Sequence, residues 1–122
     1  MIPIFHVGKS LYKALSPILN GKVFSVRAEA NTSVPYMVYF RTGRGDDERG
    51  DKDAGLANDT HVKVNIYTST YSEGIKIAEN VVTKLLNEEN EGIDECTLTD
   101  AIEGSTEDGA VFVQSLEFLI TI

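Results

Sequence analysis

The sequence predicts an α+β fold, with two helices packed on one face of a mainly antiparallel sheet of four to five strands, in the order α-β-β-(long loop)-β-α-β-β. Three observations carry that prediction. Val62, Val64 and Ile66 alternate with Lys63, Asn65 and Tyr67, the period of a strand with one dry side. Directly afterwards Ala78, Val81, Val82, Leu85 and Leu86 form one apolar stripe at helical spacing, with Lys76, Glu79, Asn80 and Lys84 away from it. The two patterns are joined almost without a loop, so the helix folds back onto the sheet to bury both.

Taken in order, Val7, Leu11, Ala14, Leu15 and Ile18 place a first helix at about His6 to Leu19. Pro17 costs that helix a backbone hydrogen bond, so a break or a loose last turn is expected there. Asn20-Gly21 supplies the stop, because glycine accepts the left-handed conformation at a helix end without penalty. A short strand follows over Lys22 to Val26. Val34 to Arg41 (VPYMVYFR) is a second strand, aromatic and β-branched on both faces, with Pro35 tolerable near its start.

Arg41 to Thr60 has four glycines, dense charge of both signs and few apolar anchors. Such a stretch buries too little surface to offset its ordering entropy, so a long mobile loop is expected. The central strand and helix come next, with Thr70 or Ser72 as the N-cap; Thr70 with Glu73 has the pattern of a capping box. The helix runs to about Glu89, and Asn90 to Gly92 ends it. Ile93 to Ile102 is a weaker strand with Cys96, Leu98 and Ile102 on one face, and Glu103 to Gly109 is a polar turn. Val111 to Ile122 closes the chain as a long strand whose Phe112, Leu116, Phe118, Ile120 and Ile122 share one side.

A chain of 122 residues suits one domain, 1–122, long enough to remove roughly two-thirds of its unfolded surface from water. No run of 18 apolar residues is present, so neither a membrane span nor a membrane partner is expected. The N-terminus lacks a basic leader and carries Lys9 and Lys13 within its apolar pattern, which argues against a secretory signal. The lone Cys96 forbids an internal disulfide and reads as a small buried hydrophobe in a reducing compartment.

The net charge of −8 is unevenly spread. All eleven Lys and Arg lie at or before Lys84, and Glu88 to Asp108 holds nine carboxylates and no base. An acidic balance disfavours nucleic-acid binding, since phosphate neutralisation supplies most of that affinity. The acidic third suits either solvation or a basic partner surface.

No catalytic constellation emerges. His6 and His61 have nothing at ligand spacing around them, and two His with one Cys fall short of a zinc set. Asp46, Asp47, Asp51 and Asp53 lack the ligand order, glycine and terminal glutamate of a calcium loop. Gly43-Arg44-Gly45 is neither a dinucleotide nor a P-loop fingerprint. Two Arg-Gly-Asp tripeptides, at Arg44 and Arg49, read as chance loop composition. Neither an enzyme nor a cofactor is expected. An enzyme would need a cleft that brings two carboxylates, or a carboxylate and His61, within hydrogen-bond reach.

Three stretches stand out: Gly8 to Leu15 leading through Asn20-Gly21-Lys22-Val23-Phe24, then Val34-Pro35-Tyr36-Met37-Val38-Tyr39, then Val62 to Tyr71 running into the Glu73 to Leu86 helix. Together they resemble the tail completion (tail-to-head joining) family of long-tailed bacteriophages and prophages. The resemblance implies a non-enzymatic structural part of a virion, assembled in the cytoplasm of a bacterial host. Members of that family form rings, with six copies expected, that end the tail tube and meet the head connector; DNA passes through without specific binding. On that basis Arg41, Arg44, Asp46, Asp47, Arg49, Asp51 and Asp53 are expected to order against a neighbour, with the arginine forks pairing to carboxylates. Glu88, Glu89 and Glu91 are expected on an acidic face toward the channel or a basic ring. The alternative is a stand-alone, non-enzymatic α+β module that binds a protein or ligand.

Overall fold

The computed structural model describes residues 3–44 and 59–122. A 3-10 turn at Pro3–His6 runs into helix α1, Val7–Leu15, and a second 3-10 turn at Ser16–Leu19 follows. The one helix expected over His6 to Leu19 is therefore split, and the tighter turn begins just before Pro17, which sits in its first turn where a missing N–H costs nothing. Asn20 and Gly21 both take left-handed backbone angles and end the segment, with Gly21 N–H donating to Ser16 O at 2.9 Å.

Five strands form one sheet: β1 Val23–Ser25, β2 Tyr36–Arg44, β3 Asp59–Thr68, β4 Glu95–Ser105 and β5 Phe112–Thr121. Helix α2, Tyr71–Asn87, connects β3 to β4. The spatial order is β1-β2-β3-β5-β4. All neighbours are antiparallel except β1 and β2, which run parallel with Val23 opposite Met37. The expected antiparallel pairing fails there because residues 26–35 return the chain to the end of the sheet where β1 began, instead of forming a tight hairpin turn.

Both helices lie on one face. Val62, Val64, Ile66, Met37 and Phe118 from the sheet meet Leu11, Leu15 and Val81 from the helices in a single core, each essentially without solvent contact. The threonine hydroxyl of the expected capping box is in place: Thr70 is the N-cap of α2, and its side chain accepts from Glu73 N–H at 3.3 Å. Gly74 lies where α2 crosses the sheet; a Cβ there would stand 3.0 Å from Thr68 Oγ1.

Two boundaries differ from expectation, with one kind of cause. The sequence predicts a loop from Arg41, yet the β2–β3 ladder continues through Gly43–His61 and Arg44–Thr60 after an irregularity between Arg41 and Gly43. Thr60 Oγ1 donates to Gly43 O at 2.9 Å and fastens that extension. Similarly, β4 does not turn at Glu103 but pairs with β5 through Ser105. A register shift between Leu98 and Asp100 leaves Thr99 as an extra residue and reverses the alternation. Cys96 and Leu98 face the core as expected, but Ile102 pairs with Ser115 on the outer face and is 57% exposed.

Candidate functional site

The described residues offer two contrasting sheet edges. At one edge β1 covers β2 only from Met37 to Tyr39, so Phe40–Arg44 has a strand neighbour on one side alone among the described residues. Arg41 lies opposite Val62 and so on the helix-bearing face, where its guanidinium carbon sits 4.9 Å from the centroid of the Phe5 ring. Phe5 belongs to the first 3-10 turn and is 59% exposed. Together they make a projecting pair, apolar below and cationic above.

At the other edge β4 has β5 on one side only. Between its start and the end of α2 lies a groove of about 540 Å³. Leu85, Leu86, Ile93 and Cys96 line its apolar part, and Glu88, Glu89, Asp94 and Glu95 its rim. The chain reaches this shape through Asn90, whose side-chain amide donates to Lys84 O at 2.8 Å and to Glu88 O at 3.1 Å, closing the end of the helix. Gly92 then turns with a positive φ, and a Cβ there would collide with Ser10 Oγ of α1.

The acidic residues singled out from sequence fall into different environments. Glu91 is ion-paired with Lys13, which holds its carboxyl below the usual carboxylate range. Glu88 pairs with Lys84 one helical turn back at 3.2 Å. Glu89 is exposed on the groove rim. Arg41 and Arg44 stand on β2 and not in a loop, while Asp46, Asp47, Arg49, Asp51 and Asp53 lie outside the described residues.

Away from the groove, Glu103 Oε2 accepts from Gln114 Nε2 at 3.0 Å and from Tyr71 Oη at 2.9 Å. These two bonds lower the Glu103 carboxyl, and the same contact raises the Tyr71 phenol. Burial pushes the Cys96 thiol up to about 12, away from a reactive thiolate. On the outer face Tyr36 stacks on Tyr67 at 4.8 Å, and Phe24 meets Tyr36 edge-on at 6.3 Å. His6 is exposed and His61 half-buried on that face. Among the described residues, no group of three or more His, Cys, Asp or Glu is placed to hold a metal ion, and no helix is long and apolar enough to cross a membrane.

Sequence reasoning missed Phe5 and the groove. Phe5 reads as one more apolar residue near the chain start; only the topology sets it beside Arg41. The groove had a faint signal, since Glu88 and Glu89 follow a helix whose carbonyl end already repels carboxylates.

No protein-family model matches the sequence, and no curated protein does. Among solved structures, the chain is similar to one from the virion of a native gene transfer agent (GTA) particle, with a TM-score of 0.65 at 10% identity over 93% of this chain and 91% of that one. A second solved chain is similar at 16% identity with a TM-score of 0.50, over 98% of this chain and 93% of that one. At such identities the likeness establishes the fold.

Proposed function

We propose that this chain is a structural virion protein of a phage or phage-derived particle, a ring subunit that completes the tail tube and joins it to the head connector. The observation that carries the proposal is the near end-to-end likeness to a chain of the GTA virion. The stretches that resemble the tail completion family lend support, since they fall on α1, on β2 and its entry, and on the β3–α2 unit, the parts that build the core. Two unlike edges on one small sheet also suit a subunit that contacts copies of itself on both sides.

The test is to remove the gene from the bacterium that carries it and image the particles produced. The expected result is filled heads and separate tails, rejoined when the chain is supplied in trans. Joined, infectious or transfer-competent particles in its absence would overturn the proposal, and binding of a host protein or metabolite would then favour the stand-alone module.

A further inference from the structure

We propose that copies of this chain associate head to tail through the two sheet edges, the Phe5–Arg41 pair of one copy entering the acid-rimmed groove between α2 and β4 of the next. The inference deepens the ring-subunit reading and rests on it for its setting, though not for its contacts. Chemistry matches first. A groove with Leu85 and Leu86 at its floor and Glu89 and Glu95 at its rim takes a group that is apolar at its tip and cationic at its flank. Phe5 beneath Arg41 has that character, and both are exposed.

Position agrees with chemistry. Following the ladders across the sheet, Arg41 shares a row with Val62, Phe118 and Leu98, and Arg44 with Thr60, Ile120 and Cys96. The cationic end of β2 and the groove beside Cys96 therefore stand at one height on opposite edges. Both also lie on the helix-bearing face. β2 and β4 run in opposite directions, so a copy shifted across the sheet presents β4 antiparallel to the Phe40–Arg44 backbone, which has no strand on that side among the described residues. Finally, Glu89 sits just past the negative end of the α2 dipole, an unfavourable place for a carboxylate, and among the described residues it is Glu88 that takes the Lys84 ammonium. A neighbour's guanidinium would offset the Glu89 charge.

The contact is heterologous, so it closes into a ring or runs on as a chain. It can be tested on the full chain by sedimentation across concentration at low salt. Wild type is expected to assemble. Arg41→Glu, and separately Glu89→Arg with Glu95→Arg, are each expected to weaken assembly about a hundredfold, as loss of a close interfacial charge pair does. Each variant keeps one normal edge and one reversed edge. An equimolar mixture therefore has matched edges again and is expected to recover assembly in alternating order. Assembly of wild type that both variants retain, or that the mixture fails to restore, would place the contact elsewhere and leave the ring-subunit reading standing. Single chains of wild type at every concentration up to about millimolar, an affinity range too weak for a stable edge contact, would overturn the edge contact, while the virion reading would still be decided by the particle images.

Discussion

β3 and β4 each pair with β5 over ten positions, yet they differ sharply in what that pairing hides. In β3 every second residue from Thr60 to Thr68 is fully buried. In β4 no residue is buried, and from Thr99 onward all are exposed. Hydrogen bonding to β5 is common to both, so it does not explain the difference. Cover does: β3 lies beneath α2 with β2 and β5 on either side, while β4 is an edge strand with β5 on one side only. The centre is held by apolar burial and the edge by backbone pairing and a few polar contacts. That division leaves the edge available for another molecule.

The comparison can be strained from its strong side first. Phe118→Ala empties the middle of the covered face and is expected to cost about 3–5 kcal/mol, read by urea or thermal unfolding. Gly74→Ala tests how closely α2 lies on β3. Alanine favours a helix, but its methyl would crowd Thr68 Oγ1, which is held at 2.8 Å from Thr70 O, and a net loss of about 1 kcal/mol is expected. The matching change at the edge has the opposite sign. Gly104→Ala meets open space and is expected to gain about 0.5 kcal/mol by restricting the unfolded chain.

Smaller still is the pH response of the edge. Glu103 has its carboxyl lowered by bonds from Gln114 and Tyr71, so the folded form holds its proton less tightly than the unfolded chain. The associated stability is present above the unfolded carboxylate value of about 4.3 and is lost as pH falls through the lower folded value. The unfolding midpoints of wild type and Glu103→Gln should therefore converge on acidification through that window; a gap that stayed constant would mean the carboxylate contributes nothing. Cys96 marks the boundary between the two regimes. With its thiol pushed up by burial, it should react with a disulfide reagent at pH 8 far more slowly than an exposed cysteine, until the protein unfolds.

What the sequence disclosed follows the same division. Val62, Val64 and Ile66 announced β3 because a helix covers one side, and burial writes itself as alternation. Thr70 announced the start of α2 because a hydroxyl there answers an orphan N–H. Ile102 misled because the extra residue in β4 falls at a threonine, which carries no turn or bulge signature, and everything beyond it changes face. Arg41 misled for a related reason: glycines and charges look like loop, while the ladder to Val62 and His61 depends on a partner strand that lies some twenty residues away. The edges were legible only as charge. The nine carboxylates from Glu88 to Asp108 could be counted, but that Glu88, Glu89, Asp94 and Glu95 border one groove at the edge opposite Arg41 is a consequence of the strand order β1-β2-β3-β5-β4.

The most direct measurement is an electron cryomicroscopy reconstruction of the particle that contains this chain. A closed ring at the junction of tail and head, with the Phe5–Arg41 edge of each copy against the α2–β4 edge of its neighbour, is the predicted result. Density for the chain elsewhere in the particle, or absence of the chain from purified particles, would contradict the account.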